Sequence, residues 1–172
     1  MRQSLLMRCS LLAVLGLTTS MGIPAARAQI SSVTTAELTR QADVVAVGRV
    51  SSLLPEWNET RTRIRTRVVI SVSEFVKGSN AGSTLTVYVP GGEIDGVGEM
   101  YSDMPAFRKD EDVMVFAAKD KNERYHVAGG VEGKYSIKTD AATGARMVSG
   151  VAPLAQIVAQ VRSAVEAGAV KH

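Results

Sequence analysis

RTRIRTRVVISVSEFV, from Arg61 to Val76, is the clearest structural signal in this 172-residue chain. Arginines occupy alternate positions at its start, and Thr, Ile and Val occupy the positions between them. This period of two predicts a β-strand with one face in solvent, because a helix would scatter the arginines around its axis. A regular strand of this length would extend about 50 Å, so we expect it to bend, to be bulged or to serve two sheets. The alternation changes phase near Ser73 and Glu74, where we expect the bulge.

The first 28 residues have the pattern of a secretory signal peptide. Arg2 and Arg8 precede an apolar run from Leu11 to Leu17, and a small-x-small cleavage site ends at Ala28. The apolar run is too short to span a membrane. We therefore expect cleavage near Ala28 and export of residues 29–172 as a single periplasmic or secreted domain, with no transmembrane span in the mature chain.

Removal of this leader would change the charge balance and the cysteine content. The full chain has 20 Lys and Arg against 17 Asp and Glu, but three of the basic residues lie in the first 28 positions and no acidic residue does. The mature domain would be close to neutral, so global charge gives no reason to expect a nucleic-acid partner. The single cysteine, Cys9, would also be lost, which excludes a disulfide or a thiol nucleophile from the mature domain.

The rest of the chain predicts short strands between two helices. Thr34 to Glu37 has the form of a capping box, which opens a short helix that ends near Gln41. A closing amphipathic helix is expected within about residues 151–168, with Pro153 at its start and its apolar face packed on the strands. The other predicted strands are 44–50, 85–89, 113–116, 125–127, 134–138 and 145–148. Gly48, inside the first of them, indicates a bulge or a close backbone approach.

These elements predict a mainly β fold. The first strand, a connection at 55–60 and the arginine strand would form a long hairpin, and the shorter strands would follow it. The architecture expected is a single, partly closed antiparallel β-barrel of the OB type, with a short N-terminal helix and a C-terminal amphipathic helix. A β-sandwich is the alternative, because periodicity identifies strands but does not determine closure.

Several short motifs stand in an order that resembles a known group of proteins. They are ADVVAVGRV (42–50), FVKG (75–78), VPGGE (89–93), MPAF (104–107), DEDVMVF (110–116) and GVEGKY (130–135). Together they resemble a family of uncharacterised secreted bacterial proteins with an OB-like barrel, similar to the netrin and TIMP-like domain. The resemblance covers roughly Asp43 to Ile137 and implies the barrel fold. TIMP-like inhibition uses an N-terminal cysteine on the protease metal, and the mature chain would have no cysteine, so that mechanism is not implied.

The arginine row is the sharpest candidate binding surface. In a regular strand its side chains would project on one side about 6.6 Å apart, which suits phosphate, sulfate or carboxylate groups. The four residues are Arg61, Arg63, Arg65 and Arg67. Stacking aromatics do not alternate with them, so an anionic glycan or lipopolysaccharide is a better ligand than nucleic acid. The structural alternative is that the arginines pair with acidic side chains on neighbouring strands and protect a sheet edge.

The segment from Gly91 to Asp110 is predicted to be a long loop, which makes it a candidate lid or binding segment. It carries four spaced carboxylates: Glu93, Asp95, Glu99 and Asp103. They could ligate Ca²⁺, although their spacing differs from that of an EF-hand, or they could supply the acid and base of a hydrolase. A solvated loop is the simpler interpretation.

Aromatic residues near this segment are candidates for a ligand groove. Trp57, Tyr101 and Phe107 could line such a groove or cover one end of the barrel. His126 is the only histidine expected to be fixed in the fold, and one histidine cannot form the usual zinc site. We therefore predict a non-enzymatic, cofactor-free binding or interaction module for an unidentified envelope or extracellular protein. Binding of an anionic glycan is the second hypothesis and a carboxylate-dependent hydrolase is the third.

Overall fold

The computed structural model describes residues 33–79, 82–148 and 152–169. The predicted signal peptide lies outside these residues. The helices are α1 (Thr35–Gln41) and α2 (Leu154–Ala169), and a 3-10 turn spans Gly130–Gly133. The strands are β1 (Val44–Trp57), β2 (Ile64–Lys77), β3 (Thr84–Pro90), β4 (Gly92–Ile94), β5 (Val97–Glu99), β6 (Asp112–Lys119), β7 (Tyr125–Val127), β8 (Lys134–Thr139), β9 (Arg146–Val148) and β10 (Ala152–Pro153). The mainly β fold with a helix near each end is confirmed.

Five of the strands close into a barrel. Their order is β1, β2, β3, β7 and β6, and β6 pairs with β1 again. A closed ring with an odd number of strands cannot alternate direction throughout, and here the parallel pair is β3 with β7. The prediction of a β-barrel is confirmed, and the β-sandwich alternative is wrong. β8, β9 and β10 extend the sheet from β6 towards α2.

The apolar core has two parts because helices cover one outer face of the barrel. Alternate residues of β1 and β6 point into the barrel, and they include Ala46, Val113 and Val115. The residues between them point outward and are also buried, because α1 and α2 pack over them. Ile157 and Val161 of α2 are 1% and 0% exposed in this outer cluster. The predicted packing of the C-terminal helix on the barrel is therefore confirmed. The prediction that the helix starts at Pro153 is wrong, because Pro153 pairs with Met147 in β10 and α2 begins at Leu154.

The hairpin of β1 and β2 differs from prediction at its turn. β1 continues to Trp57 and pairs there with Ile64, so residues 55–57 belong to a strand and the turn is 58–63. Asn58 holds this turn, because its side-chain oxygen accepts hydrogen bonds from the backbone N–H groups of Thr62 (2.8 Å) and Arg63 (3.2 Å). Arg61 has a φ of 54°. The prediction that the strand begins at Arg61 is therefore wrong.

The predicted bulge in β2 is confirmed. The register with β1 shifts between the pairs Val47–Glu74 and Gly48–Val72, so Ser73 is the extra residue on β2. Gly48 is the predicted close approach of two backbones, since a Cβ atom there would lie 2.3 Å from the carbonyl oxygen of Ser71. These irregularities allow the 14-residue β2 to curve around the barrel.

The segment 91–110 is not one irregular loop. It contains the hairpin of β4 and β5, whose two-residue turn is Asp95-Gly96. Both turn residues have positive φ, 51° and 80°. The prediction of a single 20-residue loop is therefore wrong. It overlooked the Asp-Gly pair, which is a strong short-range signal for a hairpin.

Candidate functional site

An apolar groove lies between the segment 91–107 and one end of the barrel. Its volume is about 340 Å³, within the range of small-ligand sites. The barrel side is formed by Leu53, Pro55, Thr66, Val68 and Val89. The opposite side is formed mainly by Met100, Tyr101, Met104, Pro105, Ala106 and Phe107.

The turn after β3 positions the hairpin beside this groove. Gly91 and Gly92 have φ values of 96° and 138°, which favour glycine. The Gly91 N–H donates to the Ile64 carbonyl oxygen at 2.9 Å, and the Thr66 hydroxyl donates to the Gly91 carbonyl oxygen at 2.7 Å. A Cβ atom on Gly92 would lie 2.6 Å from Thr66 Oγ1. The tight turn predicted at these glycines is present, and it ties β4 to β2.

The groove is apolar at its base and has one charged side chain on its wall. Val68 and Val89 are 1% and 7% exposed. Glu99 is the charged lining residue, and its carboxylate accepts a hydrogen bond of 3.1 Å from the Tyr101 hydroxyl. Met100 is 93% exposed beside them. The site therefore offers apolar surface to solvent, with an adaptable methionine at its margin.

A largely buried ion pair anchors the chain just after the groove segment. Lys134 Nζ donates to Glu111 Oε1 at 2.6 Å, and the Ser136 hydroxyl donates to the same oxygen at 2.5 Å. The Lys134 ammonium also lies 5.5 Å from the ring centroid of Phe107. Burial alone would raise the pKa of Glu111, but the hydrogen bonds from Lys134 and Ser136, the Lys134 charge and the Arg108 N–H lower it. We call Glu111, Lys134 and Ser136 the buried clasp.

The structure separates the four arginines that the sequence placed in one row. Arg61 and Arg63 lie in the turn 58–63, while Arg65 and Arg67 lie on β2. The prediction of a regular ladder of four guanidinium groups is wrong, because the side-chain bonds of Asn58 keep the first two out of the strand. β2 lies between β1 and β3, so the arginines do not protect a sheet edge either.

Arg65 is bound in an outer polar cluster that was not predicted. It donates to Glu56 at 2.8 Å and to Glu59 at 3.2 Å, and its guanidinium lies 5.0 Å from the Tyr88 ring centroid. Arg124 lies 5.9 Å from the same ring and donates to Glu59 at 2.9 Å. Pairing of arginine with acids on a neighbouring strand is thus confirmed for Arg65. Glu56 and Glu59 were visible in the sequence, but their register with β2 was not.

The acidic candidates do not converge. Glu93 and Asp95 stand along the β4–β5 hairpin, Glu99 lines the groove, and the Asp103 carbonyl oxygen accepts from the Val131 N–H at 3.0 Å. Within residues 33–79, 82–148 and 152–169, no three acidic, histidine or cysteine side chains are grouped to hold a metal ion. The calcium candidate therefore has no assembled site in this part of the chain.

The aromatic candidates divide in a similar way. Tyr101 and Phe107 line the groove, as the sequence suggested, whereas Trp57 at the end of β1 does not line it. His126 is exposed on β7. Met100 was not predicted as a groove residue, because an isolated Met in a loop has no distinctive spacing, and Pro105 was noted only as part of the motif MPAF (104–107).

Comparison of the chain with models of known protein families and with curated protein sequences gave no match. In the described part of the chain, neither helix has the length and apolar character needed to cross a membrane.

Proposed function

We propose that this protein is a non-enzymatic, exported binding module whose groove accepts an apolar group from an envelope or extracellular partner. The signal-peptide pattern of the first 28 residues supports export. The strand order β1, β2, β3, β7, β6 with closure onto β1 supports a barrel of the OB type, a fold that serves many binding functions.

The exposure of Met100 beside an apolar groove carries this proposal. The Met100 side chain is 93% exposed, and its burial by a partner would stabilise the complex by about 25 cal/mol per Å² of apolar surface removed from water. The neighbouring groove already has fixed apolar walls, since Pro105 is buried and the buried clasp anchors the chain after Phe107. A partner would therefore meet a largely formed site.

The proposal is tested with the neutral apolar fluorophore N-phenyl-1-naphthylamine. We expect its fluorescence to rise on binding, and Ala106→Phe to weaken binding about tenfold or more by filling the groove. Ala142→Phe is the matched control, because Ala142 is exposed in the turn between β8 and β9, away from the groove residues. Equal binding by the two variants would refute the assignment of the groove.

Recognition of an anionic polymer is a second candidate function. Arg61 and Arg63 are exposed, and neither forms an ion pair with any of residues 33–79, 82–148 and 152–169. This function requires retention on heparin that falls steeply with salt and is lost in the double variant Arg61→Ser/Arg63→Ser. Retention that persists in that variant would exclude these arginines as the binding surface.

A further inference from the structure

We infer that the groove recognises a peptide segment of a partner protein in which an apolar side chain is flanked by lysine or arginine. This inference rests on the proposed function, and it specifies the chemistry of the occupant. Two observations carry it together: the apolar groove itself, and the charge of the segment that forms one side of it.

The segment 91–107 carries acidic residues and no basic residue. Its four carboxylates are those of Glu93, Asp95, Glu99 and Asp103, and the next basic residue along the chain is Arg108. Within the described ranges 33–79, 82–148 and 152–169, none of the four forms an ion pair. Arg65 and Lys134 are already paired with other carboxylates. Arg108 and Lys109 follow Phe107 and are exposed, and neither pairs with the four carboxylates in the described ranges. These carboxylates therefore remain available to a cationic partner.

The arrangement of these carboxylates distinguishes between kinds of cationic partner. A small cation requires carboxylates that converge on one point, and these do not converge. Glu93 and Asp95 lie along the hairpin, Glu99 lies at the groove and Asp103 lies beyond Tyr101. A peptide with an apolar anchor and separate basic side chains matches charges that are spread along a segment.

The chemistry of the groove wall points to the same occupant. Interfaces commonly combine an apolar centre with a polar rim, and charge complementarity at the rim favours the correct partner. Here Val68, Val89 and Phe107 supply the apolar centre, and Glu99 is the acidic residue that lines the groove. Glu93 and Asp95 lie on the same hairpin, outside the lining residues.

The test uses synthetic pentapeptides and nuclear magnetic resonance titration of ¹⁵N-labelled protein. The probe is acetyl-Lys-Thr-Leu-Thr-Lys-amide, and its matched controls replace both lysines by Glu, both lysines by Gln, or the leucine by Asn. We expect the probe to shift amide signals of residues 97–107, and the Glu and Asn controls to bind about tenfold or more weakly. Raising the salt concentration should reduce the difference between the Lys and Gln peptides.

A charge variant tests the assigned carboxylates. In the triple variant Glu93→Gln/Asp95→Asn/Asp103→Asn, the preference for the Lys over the Gln peptide should fall about fivefold, as expected for several exposed ion pairs. Glu99 is left unchanged because it binds the Tyr101 hydroxyl. Equal affinity for the Lys and Glu peptides, or an unchanged preference in the triple variant, would overturn the inference. If N-phenyl-1-naphthylamine binds but the Lys peptide does not, the inference fails and the proposed function stands; if neither binds, both fail.

Discussion

Lys134 Nζ lies 2.6 Å from Glu111 Oε1, and the two side chains keep only 9% and 14% of their surface exposed. The pair joins β8 to the chain just after the groove segment. A buried charge that loses its partner is costly, because the remaining charge is separated from water without compensation. The clasp therefore contributes to the stability of the fold and to the position of Phe107.

We expect Glu111→Ala to lower the free energy of unfolding by about 3 kcal/mol, because it leaves the Lys134 ammonium buried without its carboxylate. Urea denaturation monitored by circular dichroism measures this change. Glu123→Ala is the control, since it removes the acidic partner of the exposed Lys119 pair and should leave stability almost unchanged. Similar behaviour of the two variants would show that the clasp is not a significant source of stability.

The carboxylate of Glu111 should also make the free energy of unfolding depend on pH. The pKa of Glu111 is lowered in the folded protein, so its contribution is fully present above the unfolded-state pKa of about 4.3 and is lost as the pH falls through the folded value. Asp112, Asp120 and Asp140 also have lowered pKa values through their own hydrogen bonds, so the whole protein should lose stability in acid.

The contribution of Glu111 is isolated by comparison with Glu111→Gln, which cannot titrate at this position. We expect the unfolding free energy of this variant to fall less steeply than that of the wild type as the pH is lowered from about 5 into the acid range. Denaturation curves at a series of pH values provide the measurement. Parallel pH profiles would contradict the lowered pKa of Glu111.

The strands of the barrel, the bulge at Ser73 and the packing face of α2 could be predicted because each depends on local periodicity, whereas the short strands β4, β5 and β10 were missed. The apolar residues of β2, such as Ile64 and Ile70, are buried where the alternation placed them. The start of β2 could not be predicted in the same way, because the alternation continues through Arg63 while the side chain of Asn58 fixes a turn. Periodicity thus identified the strand but not the competing hydrogen bonds at its end.

The groove could not be predicted from the sequence, because it depends on contacts between distant parts of the chain. Val68 and Phe107 meet there only because the barrel closes and the buried clasp anchors the segment after residue 107. The pairing of Arg65 with Glu56 likewise depends on the β1–β2 register. The Asp95-Gly96 turn is different, since its sequence signal is local and could have divided the long segment, but the prediction overlooked it.

The close backbone contact at Gly48 gives a further test of the barrel. A Cβ atom there would lie 2.3 Å from the Ser71 carbonyl oxygen and 2.9 Å from Ile70 Cγ2, so Gly48→Ala should force β1 and β2 apart. We expect a loss of about 1–3 kcal/mol in the free energy of unfolding, measured by urea denaturation. Gly168→Ala in α2 is the control, because nothing lies near its Cβ position and alanine favours a helix. Tolerance of Gly48→Ala would contradict the observed approach of the two strands.

Arg63 and Arg65 are adjacent members of the arginine row and should differ in their effect on stability. Arg65 donates to Glu56 and Glu59 and contacts the Tyr88 ring, with 23% of its side chain exposed, whereas Arg63 is exposed in the turn. Arg65→Ser should lower the free energy of unfolding by about 1–2 kcal/mol, because charged hydrogen bonds and a cation–π contact are lost.

Arg63→Ser should leave the free energy of unfolding unchanged, since this side chain has no ion pair within residues 33–79, 82–148 and 152–169. Both variants are measured by urea denaturation and then by elution from heparin. A structural role for Arg65 predicts that its substitution changes stability more than heparin retention, while a binding role for Arg63 predicts the reverse. β2 begins at Ile64, so Arg63 lies in the turn and Arg65 lies on the strand. Equal loss of stability in the two variants would contradict the expectation that only Arg65 contributes to the stability of the fold.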